Sequence, residues 1–339
     1  MKSTPKINRR SFLKLAGVAG AAAALPLASP AIGLAGLGRK QHVAQQTRMM
    51  MGTLVSITVV DASPALAQDA MLQAFASIDG LSPIFDRHNS GGLVATLNAS
   101  GRIGEMPPAL RQVLTLCQSV QRASNGAFDI SVAPVVDAYK NSFAATGRAP
   151  SDEVIQRALD AMGGVQFSAS GMSLTRQGAG VTLDGVAKGF MVDQGLAAAA
   201  KAGAKHVLIN AGGDIGVLGD RGNGQPWRVA ISDPDNPTTP KMVINMTQGA
   251  VATSGNYEVY FDSEKLYHHI VNPANGACPR SDASVSVRAG SAAMADALST
   301  ACFVMEPKAA RAFLAQGVGL DGLILTRQGQ RFMTEGFVG

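Results

Sequence analysis

Along this chain, short stretches of alternating apolar and polar residues are interleaved with longer stretches that repeat at helical spacing. Between Leu54 and Val60 the run Val-Ser-Ile-Thr-Val alternates, the pattern of a half-buried strand. Ser63-Pro64 supplies a capping hydroxyl and a proline suited to a first turn, predicting a helix to about Leu81. Pro107-Pro108 opens a second helix with Leu110, Val113, Leu114, Leu116, Cys117 and Val120 on one side, ending near Asn125-Gly126. Ser151-Asp152-Glu153 starts a third, and Gly163-Gly164 closes it. Apolar and β-branched runs predict strands from Met172 to Leu183 and through His206–Ile209, Trp227–Ile231, Met242–Met246, Ala250–Thr253, Ala283–Val287 and Leu320–Leu325. Helices are predicted at about 187–202, 291–305 and 307–316, and loops at the Gly/Pro/Asn-rich stretches 219–226 and 233–240. Without a regular βαβ cadence, an internal repeat or an interdomain linker, the pattern is α+β, with one catalytic domain from about residue 45 to 339.

Residues 1–35 stand apart from that pattern. Lys2, Lys6, Arg9 and Arg10 precede an apolar run from Phe12 to Leu27 interrupted only by Lys14, and Asn8-Arg9-Arg10-Ser11-Phe12-Leu13-Lys14 has the twin-arginine arrangement. The run is rich in Ala and Gly, contains Pro26 and is followed by small residues, which reads as an export signal to the periplasm; a retained membrane anchor is the competing reading.

Removing that leader changes the charge picture. The net +5 of the 339 residues includes five basic side chains within residues 1–31 and no acidic ones, which leaves 24 Lys and Arg against 24 Asp and Glu. A near-neutral remainder offers no whole-protein field for nucleic acid or an anionic membrane. At 46% hydrophobic and 16% charged there is material for a large core. Cys117, Cys278 and Cys302 lie far apart with no CxxC spacing, which argues against a zinc site; Cys117 and Cys302 fall in apolar helical patterns as buried structural thiols.

Four segments carry candidate chemistry. In the helix predicted from Ser291, Asp296 and Thr300 are one turn apart on one face, and both present oxygen; this fits half of a magnesium site, although a lone Asp in an Ala-rich helix is more often a solvated surface residue or a helix–loop hydrogen bonder. Thr182-Leu-Asp-Gly185-Val-Ala-Lys188-Gly passes from strand to helix through a glycine, so backbone can approach a ligand and Lys188 can meet an anion; a tight turn with a surface lysine has the same appearance. Asn210-Ala-Gly-Gly-Asp214-Ile follows a strand as a ligand-facing turn or a plain hairpin loop. In Tyr267-His268-His269-Ile270, adjacent histidines on extended backbone face opposite ways, so one of them can enter a cleft. Neither GxGxxG nor GxxxxGK[ST] is present.

The order of the segments carries more than any one of them. Read in succession, Met51-Gly-Thr53, Gly126-Ala-Phe-Asp-Ile130, Leu183–Gly189, Asn210–Ile215, Ala252–Glu258, His268–Gly276 and Ala295–Ala301 resemble the ApbE family of FAD:protein FMN transferases over essentially the whole mature length. The resemblance implies a T-fold-like domain in which mixed sheets and flanking helices enclose an FAD cleft. It implies Mg2+ held by Asp296, Thr300 and the Gly185 carbonyl, and flavin contacts at Met51, Ala127, Phe128, Asp129, Thr182, Lys188 and Ile270. His88 stands where relatives often carry a tyrosine and offers a smaller ring face. Asp184 lies two residues later than the carboxylate of the common family string, and Asn256 replaces an aspartate, so Tyr257 and Glu258 are expected to be scaffold.

The implied reaction is transfer of FMN from FAD to a threonine hydroxyl of an exported or membrane-bound acceptor protein, releasing AMP. Lys188 would neutralise phosphate charge and His269 would accept the hydroxyl proton. The competing readings are an FAD pyrophosphatase, with water in place of the threonine, and a non-catalytic FAD-binding assembly factor.

Overall fold

The computed structural model describes residues 41–168, 170–232, 240–280 and 282–338. The leader at 1–35 and most of the loop expected at 233–240 lie outside the described residues. In chain order the elements are β1 (His42–Met50), β2 (Thr53–Asp61), α1 (Pro64–Phe85), α2 (Leu93–Ser100), β3 (Arg102–Ile103), α3 (Pro108–Ala123), α4 (Ala133–Thr146) and α5 (Asp152–Ala161). They continue with β4 (Val165–Ser168), β5 (Gly171–Leu174), α6 (Ala187–Lys201), β6 (His206–Ala211), β7 (Asp214–Leu218), β8 (Trp227–Ser232), β9 (Pro240–Met246) and β10 (Gln248–Gly255). The last are β11 (Asp282–Ala289), α7 (Ala292–Val304), α8 (Pro307–Gln316), β12 (Asp321–Thr326) and β13 (Arg331–Met333).

One eight-stranded antiparallel sheet, in the order β1-β2-β6-β7-β10-β11-β12-β13, organises the domain. The alternation along its strands sends side chains into two different cores. Val55, Ile57 and Val59 of β2 and Val207 and Ile209 of β6 pack with α1, α6 and α7, whereas Val60, Val217, Val251 and Leu325 meet Trp227, Val229, Ile244 and Met246 of the β8–β9 ribbon. Helices thus cover one face and a two-stranded ribbon covers the other. A third cluster joins α4 and α5 to the segment 261–278 through Tyr139, Phe143, Phe261 and Tyr267.

Most predicted elements appear within a few residues of their expected bounds, and the departures have local causes. The strand expected from Met172 to Leu183 ends at Leu174, because Gly178 turns the chain at φ 73 and Thr182 gives its N–H to Ile130 outside any sheet. Helix α1 runs past Leu81 and through Pro83, since Phe85 is buried edge-on against Phe190 at 5.6 Å. β1 and β7 carry no lone signal: β1 is a largely exposed edge strand, and β7 is the return arm of the β6 hairpin. Met51 and Gly52, both at positive φ, make the two-residue turn that joins β1 to β2. All three cysteines are buried. Among the described residues, no helix is long and apolar enough to cross a membrane.

The contact that positions the site is the meeting of α6 and α7. Asp193 of α6 accepts the Ala292 and Ala293 N–H groups at 2.7 and 2.9 Å, capping α7 from a neighbouring helix, while Ser291 caps it locally through Met294 N–H. A side chain at Gly189 would stand 2.2 Å from the Ala292 carbonyl oxygen, so only glycine permits the crossing. Asp193→Ala should therefore cost about 1–2 kcal/mol of unfolding free energy. Urea denaturation monitored by circular dichroism measures the loss, and unchanged stability would show that the Ser291 cap alone suffices.

Candidate active site

The site grows from the N-terminal halves of α6 and α7. Asp296 and Thr300 do share a face of α7, and the Gly185 turn lies against it: a Cβ on Gly185 would come within 2.8 Å of Thr300 Oγ1 and 3.4 Å of the Phe128 ring. Backbone therefore approaches the hydroxyl more closely than any side-chain-bearing residue could. Asp296 is 3% exposed, and its Oδ2 accepts the Gly189 N–H at 3.1 Å. The two residues first noted for their spacing are thus joined by the Gly185 turn noted separately in the sequence, which leads into α6 from a loop rather than from the expected strand.

Lys188 Nζ is 2.5 Å from Asp214 Oδ2, a carboxylate only 1% exposed on its side chain. Asp214 opens β7 just after the Gly212-Gly213 turn, where both glycines have positive φ and a Cβ on Gly212 would strike Thr53 at 2.4 Å. The segment is the hairpin turn the sequence allowed, and it brings Asp214 to Lys188. Asp214 itself was legible only as one member of that string, since its pairing with Lys188 spans 26 residues.

Electrostatically this is one cation among three acids. Burial alone would depress the Lys188 ammonium, but Asp214, Asp296 and Glu258 outweigh it and hold the pKa above its ordinary range. Burial and the neighbouring Asp214 push the Asp296 carboxyl well above the usual range, against the pull of Lys188 and the Gly189 N–H. Glu258, half-buried, is pushed up to about 7 by burial, with Lys188 lowering it and Asp214 raising it. Glu258 was expected to be scaffold; it stands instead within the field of the site.

His269 and His268 divide as their opposite orientations require. His268 is fully buried, with Nε2 on the Pro279 carbonyl at 3.0 Å and Nδ1 without a hydrogen-bond partner. His269 Nδ1 lies 3.0 Å from the Val259 carbonyl, which can only accept, so Nδ1 carries the proton and Nε2 keeps a lone pair. Burial lowers its pKa, as does Lys188, while the Val259 contact and Asp184 oppose them; the ring shares the electrostatic neighbourhood of Lys188.

The remaining expected contacts are more dispersed. Thr182 is anchored by its N–H to Ile130 and receives the Asp184 N–H at 3.3 Å, which orients the Gly185 turn; Asp184 is exposed. Phe128 is buried beside Gly185, and Ala127 precedes it half-buried. The Asp129 carboxylate is already engaged by Ser131 N–H, Ser131 Oγ and Gln121 Nε2, so it shapes the loop that carries Phe128. Ile270 is buried in the main core and Met51 is half-buried against it. His88 is exposed beyond α1, its N–H on Asp86, and among the described residues no hydrogen bond ties it to the Asp296 group.

The donor set suits a hard cation. Asp296, Thr300 and the Gly185 carbonyl offer oxygen only, and the acidic excess around one lysine calls for further positive charge. Among the described residues no three His, Cys, Asp or Glu side chains group as a metal site.

Comparison with known proteins follows the same line. The ApbE family model matches residues 51–324, which hold every element of the site. The chain belongs to the ApbE family. A twin-arginine translocation pathway signal sequence matches residues 6–26, as the Arg9-Arg10 pattern anticipated. The FAD:protein FMN transferase of Rhodobacter capsulatus is 32% identical over 267 residues, 76% of this chain and 51% of that protein, so the chain spans about half that relative's length. The FAD:protein FMN transferase of Treponema pallidum is 27% identical over 322 residues, 86% of this chain and 88% of that protein. Among solved structures, the ApbE protein of Thermotoga maritima aligns with a TM-score of 0.76 at 27% identity, over 87% of this chain and 98% of its own. The flavin transferase ApbE of Vibrio cholerae, at 22% identity and a TM-score of 0.76 over 88% and 99%, shares the fold. The expected α+β, ApbE-like domain is therefore the observed one.

The charge cluster makes a specific prediction. In the protein without ligand, Asp214→Asn should move the Glu258 carboxyl below about 7, because one of the two influences that raise it is removed and Lys188 would then be opposed by burial alone. A carboxyl 13C NMR titration reads the shift; an upward move would show that Glu258 does not sense this pair.

Proposed function

We propose that this ApbE-family chain is a magnesium-dependent FAD:protein FMN transferase. The observation that carries the reading is the convergence of Asp296, Thr300 and the Gly185 turn beside Lys188, with a histidine of available lone pair in the same electrostatic neighbourhood. In the reaction, a threonine hydroxyl of the acceptor protein attacks the FMN-side phosphorus of FAD. A new P–O bond forms, the bond to the AMP phosphate breaks, and AMP leaves. Asp296 and Thr300 side chains and the Gly185 carbonyl would hold Mg2+, whose charge offsets that of the diphosphate.

The chain's own residues supply the rest. Lys188, kept protonated by its acidic neighbours, presents a fixed positive charge to phosphate oxygens, while Asp214 holds its side chain in place. His269 Nε2 accepts the threonine proton, and its lowered pKa keeps the ring neutral and ready near pH 7. The flavin contacts proposed at Phe128 and Met51 would come from segments next to the Gly185 turn and the β1–β2 turn. The twin-arginine signal supports export to the periplasm, where exported or membrane-bound proteins would carry the target threonine.

Purified protein, FAD and Mg2+ incubated with candidate exported acceptors should yield covalent flavin fluorescence on a denaturing gel, with one AMP per flavin attached. Rapid AMP release without acceptor would make the protein an FAD pyrophosphatase, and tight FAD binding with no AMP in either case would make it a holding factor. Asp296→Ala and Thr300→Ala should remain folded by circular dichroism yet lose Mg2+-dependent transfer on the order of 10²-fold. His269→Asn should lower kcat by about 10²- to 10⁴-fold with FAD binding little changed, as fluorescence titration would read.

A further inference from the structure

Behind Thr300 runs a chain of hydroxyls whose direction can be worked out by counting protons. Thr300 Oγ1 is 3.3 Å from Ser254 Oγ, Ser254 Oγ is 2.8 Å from Ser299 Oγ, and Ser299 Oγ is 2.9 Å from the Asp296 carbonyl oxygen. Ser299 is fully buried and Ser254 nearly so, on β10 packed against α7. A hydroxyl donates once and accepts at two lone pairs, whereas a carbonyl only accepts. Ser299 therefore spends its proton on Asp296. The contact between Ser254 and Ser299 is a hydrogen bond only if Ser254 donates, and Ser254 then has no proton left for Thr300. Thr300 must donate to Ser254. Its hydrogen is turned into the protein, and its lone pairs remain unspent for the side where the Gly185 turn lies.

We infer that Ser254 and Ser299 are positioning residues that orient the Thr300 hydroxyl as a lone-pair donor toward a hard cation. The inference rests on the reading that Asp296 and Thr300 hold the ion. It explains why two hydroxyls sit in an otherwise apolar layer, where alanine flanks them on both elements: Ala252 on β10, Ala297 and Ala301 on α7. It also has a consequence that packing alone lacks. Without Ser299, the Ser254 proton loses its acceptor and turns to Thr300 Oγ1, taking a lone pair there and rotating the Thr300 proton outward. Ser299 donates to the Asp296 backbone carbonyl rather than to its carboxylate and accepts from Ser254, so it reaches the Thr300 hydroxyl only through Ser254.

The test measures Mn2+ affinity of the purified full chain with FAD present, by the electron paramagnetic resonance signal of free Mn2+. Ser254→Ala and Ser299→Ala should each weaken binding about three- to tenfold, and the double variant should bind no more weakly than Ser254→Ala alone. Ser299→Thr, which keeps the hydroxyl, should bind as the unaltered chain does; it carries the comparison with Ser299→Ala if Ser254→Ala does not fold. Unaltered affinity in the folded alanine variants, or losses that multiply in the double variant, overturns the relay. Asp296→Ala separates the two levels: if it abolishes binding while the serine variants do nothing, only the relay fails, and if it binds Mn2+ normally, the ion site and the relay fail together.

Discussion

The site depends on one close approach, the crossing of α6 over the start of α7. Gly189 leaves room for the Ala292 carbonyl, its N–H reaches the buried Asp296 carboxylate, and Asp193 one turn further on takes the first two free N–H groups of α7. A helix start buried without such partners would leave unpaired donors in the core. The same residues that satisfy those donors set where Asp296 and Thr300 face. Fold stability and site geometry are therefore carried by the same few hydrogen bonds.

Charge follows from that geometry. Asp296, Asp214 and Glu258 share the field of a single ammonium, so the cluster is short of positive charge before any ligand enters. Raised carboxyl pKa values are what such a deficit produces in a poorly solvated space. A cation bound to oxygen donors would relieve it, and a diphosphate brought in with that cation would be met by Lys188 on its other side. Under the proposed function, a hard divalent ion paired with a phosphorylated substrate would answer both the electrostatic demand and the donor chemistry.

The eight-stranded sheet serves this arrangement as a frame. Its helix-covered face carries α6 and α7, and its hairpin between β6 and β7 delivers Asp214 to Lys188 from the opposite side. The loop holding Phe128 is braced by Asp129 and Ser131 and tied by Ile130 to Thr182, so the Phe128 loop and the Gly185 turn are not independent. The ribbon on the far face closes the second core without entering the site.

Local pattern in the sequence was enough to define α7 with its Ser291 cap, the one-turn spacing of Asp296 and Thr300, the extent of α6, and the twin-arginine leader. Those features arise from neighbours within a few residues, and a sequence displays such neighbours directly. The lone segment β1, the early end of the strand after Met172 and the extension of α1 to Phe85 were hidden, because edge pairing, a turn and a buried aromatic contact decided them. The pairing of Lys188 with Asp214, the place of Glu258 in the same field and the serine relay behind Thr300 belong to the tertiary structure alone. Each joins residues brought from different strands and helices into one poorly solvated volume, and the energy of a charge or a hydroxyl there is set by what the fold puts beside it.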